Sequence, residues 1–248
     1  MSSIDINADL GEGDPYDAEL LSIVSSCNIA CGGHAGDADS MLETVKAALA
    51  NGVAIGAHPS YPDREGFGRR GRFQSGQDLL KSLVTQISVL QDIAQEQGAK
   101  IRHVKPHGAL YNDAATDAGL AEIVAEAVLA AAGSTQLVGP PGSELQGVAE
   151  RHGLGFLGEA FIDRAYLANG RLVPRAEPGA VHDSLEKILR QAVSLAAQQS
   201  VMSIDGKRIA ICADTLCVHG DTPGAAEAAR AVRRELQKQG IEIRGADQ

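Results

Sequence analysis

The sequence has no tryptophan, and only four tyrosines and four phenylalanines among its 248 residues. Single-stranded nucleic acid is held largely on aromatic stacking platforms, so that class of partner is disfavoured. Cations are in the minority, with 22 Lys+Arg against 32 Asp+Glu and a formal charge of −10. A chain of that balance does not attract a phosphate backbone or an anionic membrane by bulk charge. No run of about 18 apolar residues occurs, so no helix is expected to span a bilayer. The Ala-rich stretch 120–132 is broken by Glu122 and Glu126. The start Met1-Ser-Ser-Ile-Asp-Ile-Asn lacks a basic region followed by an apolar one, and no export signal is read there. Cysteine is scarce: Cys27 and Cys31 lie four apart and Cys212 and Cys217 five apart, with no C-x-x-C. They read as small buried hydrophobes rather than as a disulfide framework or a zinc site. The expectation is a reduced, cytoplasmic protein with no nucleic-acid or membrane partner.

Several catalytic signatures are missing too. Gly206-Lys207 is followed by Arg208 and lacks the upstream glycine of a phosphate-binding loop. G-x-S-x-G and H-E-x-x-H do not occur, so neither a serine elbow nor a zincin helix has support. Gly66-Phe-Gly68-Arg-Arg-Gly71 matches G-x-G-x-x-G by letter, yet it lies well beyond the nearest strand, after Pro59 and Pro62. A dinucleotide fingerprint follows its strand directly, so this is not one.

What is present is an alternation of two textures. Short apolar or β-branched runs predict strands at 4–10, 27–31, 53–57, 101–104, 136–138, 155–160, 208–212 and 241–243. Helical spacing recurs between them, as in Leu79, Leu83, Ile87 and Leu90, and again in Leu185, Ile188, Leu189, Ala192 and Ala196. Ser40 with Glu43 reads as a capping box, Thr222-Pro223 as a helix start, and Gly52, Gly98, Gly153 and Gly240 as helix stops. Seven or eight β–α units without a composition break predict one α/β domain spanning 1–248, built on a parallel sheet. An open doubly wound sheet and a closed (β/α) barrel both fit, and the length favours the barrel. The long irregular stretches 58–75 and 163–181 are candidate functional loops.

Reactive residues gather just after the predicted strands. Asp9 ends the first, His34 follows the second and His58 ends the third. Lys105 and His107 follow the fourth, Glu159, Asp163 and Arg164 the sixth, and Asp214, His219 and Asp221 the seventh. In both candidate architectures that edge binds ligands. Four of seven histidines there, each near a glycine, point to a shared site. A lysine between a strand and Pro106 is placed to enter the mouth, whereas Asp37, Asp39 and Asp183 precede helices and read as caps. Segment 64–72 carries Arg64, Arg69, Arg70 and Arg72 against Glu65, a local +3 suited to a carboxylate or phosphate.

The strings Asn7-Ala-Asp-Leu-Gly-Glu12, Asn28-Ile-Ala-Cys-Gly-Gly-His-Ala-Gly-Asp37, Gly56-Ala-His-Pro-Ser-Tyr-Pro-Asp63, Gly66-Phe-Gly-Arg-Arg70, Val104-Lys-Pro-His-Gly-Ala-Leu-Tyr-Asn112, Glu159-Ala-Phe-Ile-Asp-Arg-Ala-Tyr166 and His219-Gly-Asp221 resemble the LamB/YcsF family. The resemblance runs from about residue 4 to about residue 240, with Gly33 where the family often carries Phe. It implies a distorted seven-stranded (β/α) barrel of the TIM-like glycoside hydrolase/deacetylase type. It also implies ATP-dependent opening of 5-oxo-L-proline to L-glutamate, with 5-oxoprolinase subunits B and C as partners. A five-membered lactam is an unstrained amide, and phosphorylating its oxygen makes the carbon a far better electrophile. With no nucleotide loop in this chain, ATP is expected on the partners. On this reading Asp9, His58, Lys105 and His107 are catalytic, and Asn28, His34, Arg69, Arg70 and Asp163 bind substrate or orient those that do. No metal ligands are assigned. A second reading, a metal-dependent deacetylase or amidohydrolase, takes Asp9, His58 and His107 as ligands. A third makes the chain a non-catalytic subunit that presents substrate.

Overall fold

The computed structural model describes residues 2–71, 75–218 and 224–245. Its strands in chain order are β1 (Ser3–Leu10), β2 (Ser26–Ala30), β3 (Ala54–His58), β4 (His103–Val104), β5 (Gln136–Gly139), β6 (Gly155–Phe161), β7 (Ser200–Met202), β8 (Arg208–Ala210), β9 (Thr215–Val218) and β10 (Glu242–Ile243). The helices are α1 (Asp17–Leu21), α2 (Ala38–Asn51), α3 (Gly76–Glu96), α4 (Gly108–Ala114), α5 (Ala118–Ala132), α6 (Glu144–His152), α7 (Leu185–Gln198) and α8 (Ala225–Lys238). Strands β1 to β6 pair in sequence, all parallel, and β9 pairs with both β6 and β1. The sheet therefore closes into a seven-stranded parallel barrel.

Two of the expected strands take different positions. Residues 208–212 do not enter the barrel: β8 pairs antiparallel with β7 as a small outer hairpin, and the seventh stave is Thr215–Val218. Asp214 consequently precedes the closing strand, at the end away from the histidines, where its carboxylate accepts from the Gly158 amide at 2.8 Å. Strand β10 pairs with the first residues of β1, Ser3 and Ile4, rather than forming an eighth stave.

Helix ends follow local chemistry. Asp37, not Ser40, is the N-cap of α2: its carboxylate accepts from the Ser40 amide, and the Ser40 hydroxyl completes the reciprocal box. Asp183 lies one residue before the α7 cap, Ser184, and pairs with Lys187 at 2.8 Å instead. Gly52 and Gly153 end their helices in the left-handed region. The expected start at Thr222-Pro223 lies outside the described residues, as do Arg72, His219 and Asp221.

Strand alternation sets the character of the interior. Along β1, Ile4, Ile6, Ala8 and Leu10 point outward and join Ile29, Ile55, Val104, Leu137 and Leu216 against the helices. The helices answer with Val45, Leu83, Leu90, Val124, Leu195 and Val232, so the apolar core is the shell between barrel and helices. The other residues of β1, Asp5, Asn7 and Asp9, point into the barrel and head a polar network there. Asp5 accepts from the hydroxyls of Ser25, Ser26 and Thr215, each at 2.6 Å. Asn7 donates to Thr215 Oγ1 at 2.7 Å and to Glu159 Oε1 at 3.1 Å. Above it, Asn28 donates to Asn7 Oδ1 and Asp9 Oδ1, both at 2.8 Å, and accepts from His103 Nε2 at 2.8 Å. Buried polar groups are tolerable only when so partnered.

His103 is accommodated because β3 carries Gly56 opposite it: a Cβ at Gly56 would lie 2.1 Å from His103 Nε2. Gly56→Ala is expected to destabilise the fold by about 1–3 kcal/mol through overpacking. Denaturant unfolding reads this directly, and an unchanged midpoint would contradict the tight fit.

Candidate functional site

The C-terminal mouth of the barrel begins one tier above Asn28 and His103. Lys105, just after β4, has a side chain only 3% exposed. Its ammonium lies 2.8 Å from Glu159 Oε1, 2.9 Å from Asp9 Oδ1, 3.3 Å from Cys217 Sγ and 3.5 Å from Asn7 Oδ1. Burial disfavours the charged amine, but the Asp9 and Glu159 carboxylates outweigh it and hold Lys105 well above the usual lysine range. The reciprocal applies to Asp9: burial would raise it, while His58 and Lys105 hold it well below the usual carboxylate range. Lys105 thus spends its donors within the protein, and Asp9 stays ionised with its second oxygen turned toward the mouth.

A cluster of three imidazoles and a carboxylate sits beside that oxygen. His58 Nε2 lies 3.4 Å from Asp9 Oδ2 and 3.8 Å from Glu12 Oε1. Glu12 Oε1 is also 2.8 Å from His34 Nε2 and 3.3 Å from His107 Nδ1. His34 and His107 stack face to face, 3.6 Å between centroids and 2° from parallel. Burial lowers His34 to about 4 despite its bond to Glu12, and lowers His107 as well. Glu12, which burial would raise, is brought down to about 2 by its neighbours His107, His34 and His58.

The segment after β3 covers this cluster. Phe67 has φ +53°, a strained value for a side chain of that size, and its ring meets His34 and His107 edge-on at 5.2 and 5.3 Å. Its carbonyl accepts from His107 Nε2 at 3.0 Å. Gly68 allows the approach: at φ +62°, a Cβ there would lie 2.9 Å from His107 Cδ2 and 3.0 Å from the His34 Cβ.

An open cavity of about 470 Å³ lies above, with Asp9, Glu12, His58, Lys105, His107 and Tyr111 on its floor. Arg69, Arg164, Arg171 and Arg175 supply cationic walls. Of the residues expected in the site, Asp9, His58, Lys105, His107 and Arg69 line this space. Asn28 lies beneath it and ties Asp9 to His103. His34 is buried behind the wall, against Glu12 and His107. Arg70 is exposed and Asp163 half-buried, and neither is among the lining residues. Arg64 turns away and clamps the carbonyls of Gly32 and Gly36 at 3.0 and 2.9 Å. Gly33 faces Gln86 and Ser60 rather than the cavity. Glu12, Arg171 and Arg175 are the site residues that sequence reasoning misses. Only the length of loop 163–181 and the glycines flanking Glu12 signal them.

His103 makes the fold pH-sensitive. Burial, then the charges of Lys105 and His58, lower it to about 4, against an ordinary value of 6.5. The unfolded chain therefore takes up a proton that the folded chain resists. Stability is fully present above pH 6.5 and is lost as pH falls toward 4. Urea unfolding at pH 7 and pH 4.5 is expected to show a smaller acid loss in His103→Gln than in the wild type, by about 2 kcal/mol. Equal losses would contradict this.

Known proteins share this fold and the sequence behind it. Residues 4–248 match the model of the LamB/YcsF family. The chain belongs to the LamB/YcsF family. A curated relative, the A subunit of 5-oxoprolinase from Erwinia tasmaniensis, is 47% identical over 240 residues, covering 97% of this chain and 98% of that one. Among solved structures, the lactam utilization protein of Thermus thermophilus is 41% identical with a TM-score of 0.91, covering 98% of this chain and 99% of that one. Beyond the LamB/YcsF family, a T48 deacetylase solved with substrate gives a TM-score of 0.55 at 13% identity, covering 99% of this chain and 89% of that one. A GH113 β-1,4-mannanase also gives 0.55, at 11% identity, covering 96% of this chain and 99% of that one. These two share only the TIM-like barrel. Among the described residues, no helix is long and apolar enough to cross a membrane.

Proposed function

We propose that this chain is the ring-opening subunit of an ATP-dependent 5-oxoprolinase, a cyclic-amide hydrolase that converts 5-oxo-L-proline to L-glutamate. The observation that carries this reading is the end-to-end likeness to a protein named as the A subunit of 5-oxoprolinase. The cavity supports it chemically. Four arginines suit the substrate carboxylate and phosphoryl oxygens, because a guanidinium fork matches both. Arg69 is the one of these that the arginine-rich segment supplies, while Arg70 and Asp163 stand outside the cavity lining.

Subunits B and C would bring ATP and phosphorylate the lactam oxygen, in the cytoplasm where ATP is supplied. Asp9 then accepts a proton from the water that attacks the activated carbon. Lys105 keeps Asp9 ionised and aimed, and Asn28 donates to the same oxygen, Oδ1, which leaves Oδ2 for the water. The C–N bond breaks as the ring nitrogen gains a proton, and a second water releases phosphate from the resulting acyl group. His58 and His107, backed by His34, hold the other side of the attacking water.

The test is an omission assay. Chain, subunits B and C, ATP and 5-oxo-L-proline together should yield glutamate, and leaving out this chain should abolish it. Glutamate formed at the same rate without this chain would overturn the proposal. The deacetylase reading has only a likeness of fold behind it.

A further inference from the structure

The hydrogen bonds at the mouth leave an imbalance of protons. His58 Nδ1 lies 2.8 Å from the Lys105 carbonyl, and His107 Nε2 lies 3.0 Å from the Phe67 carbonyl. A carbonyl oxygen can only accept, so each of these nitrogens carries the ring hydrogen. In the neutral rings, His58 Nε2 and His107 Nδ1 then present lone pairs to each other at 2.9 Å. Glu12 Oε1 and Asp9 Oδ2, both acceptors, face the same point. His34 brings a third imidazole, and its far nitrogen, Nδ1, is buried with no hydrogen-bond partner. Lone pairs of His58, His107, Asp9 and Glu12 converge here, and Lys105 makes its contacts on the Asp9, Glu159 and Cys217 side.

We infer that Glu12, His58 and His107 form a binding site for one divalent transition-metal ion, of the class that imidazole and carboxylate select, such as Zn²⁺, with His34, stacked parallel on His107, holding the Glu12 carboxylate. The three ligand atoms, Glu12 Oε1, His58 Nε2 and His107 Nδ1, lie between 2.9 and 3.8 Å from one another. Four ligands at about 2.0–2.2 Å around a tetrahedral ion stand about 3.3 Å apart. The Glu12 oxygen lies 3.3 and 3.8 Å from the His107 and His58 nitrogens, which are themselves 2.9 Å apart, and these values bracket that spacing. The outer contacts have the form metal sites use: ligating histidines donate their other N–H to carbonyls, which fixes the tautomer. Two imidazole nitrogens and a carboxylate at the edge of an open cavity leave the fourth position for water.

This set differs from the Asp9, His58 and His107 ligands of the deacetylase reading. Asp9 is engaged by Lys105 and Asn28, and Glu12 takes its place. Such an ion would lower the pKa of a bound water beside Asp9. The inference does not depend on the substrate being 5-oxoproline.

The test uses the full chain, stripped with chelator and titrated with Zn²⁺ by calorimetry, with uptake checked by elemental analysis. One ion per chain is expected, with affinity at least tenfold weaker in His107→Gln and in Glu12→Gln. No saturable uptake by the wild type, or the same affinity in both variants, would overturn it. Substitution in the barrel mouth can impair folding, so a second measurement uses the wild type alone. Co²⁺ should give the intense visible absorption of a four- or five-coordinate nitrogen/oxygen site. A weak spectrum like that of the hydrated ion would overturn the inference.

Discussion

Lys105→Met is expected to lower the stability of the fold by about 3–5 kcal/mol, the loss typical when one partner of a buried ion pair is removed. The methionine fills a similar volume, so the loss is electrostatic rather than a cavity effect. Asp9 and Glu159 remain 16% and 0% exposed, with no cation between them. Two buried carboxylates without a counter-charge can stay in place only by taking up a proton. Denaturant unfolding as a function of pH checks this. The variant should recover part of its deficit as pH falls from 7 to 5, a range in which the wild type gains nothing from these groups. A variant with wild-type stability at pH 7 would mean that Lys105 is not the counter-ion of the barrel interior.

Asp9→Asn is expected to reduce glutamate formation by about 10²–10⁴-fold, the range for loss of a positioned proton acceptor. The amide has nearly the shape of the carboxylate and can still meet Lys105 and Asn28 through its oxygen. It cannot accept a proton from water. Asp9 is held well below the usual carboxylate range, so the wild type should show no loss of this role above pH 5. Steady-state rates of the full assembly read the effect, with melting temperature as the check on folding. A reduction of less than tenfold in a well-folded Asp9→Asn assembly would remove Asp9 from the chemistry.

Much of this could be read in the sequence, and the reason is geometric. A parallel barrel places every strand C-terminus at one rim, so Asp9, His58, Lys105 and His107 converge once the strands are located. The polar interior is also written in β1, where Asp5, Asn7 and Asp9 alternate with Ile4, Ile6 and Ala8. Elsewhere, local texture misleads. The run Arg208–Ala210 with Ile211 and Cys212 has the apolar look of a buried strand, but its partner is Ser200–Met202, in a hairpin outside the barrel. The true closing strand is only four residues long. Glu12 escapes notice because it lies beyond the strand end, between Gly11 and Gly13, whose positive φ angles turn the chain back over the mouth. No periodicity reports such a reversal. Likewise, Arg69 and Arg70 are equivalent in sequence, and only the turn held by Asp63 and Gly68 decides that Arg69 is the one that lines the cavity.

The central claim is that this cavity opens the ring after the partners have activated it. It is tested most directly by measuring ADP and glutamate together in an assembly reconstituted with the Asp9→Asn chain. The account predicts that ATP is still cleaved in the presence of 5-oxo-L-proline while glutamate falls at least about a hundredfold behind it. Glutamate and ADP appearing together in equal amounts at the wild-type rate would contradict it.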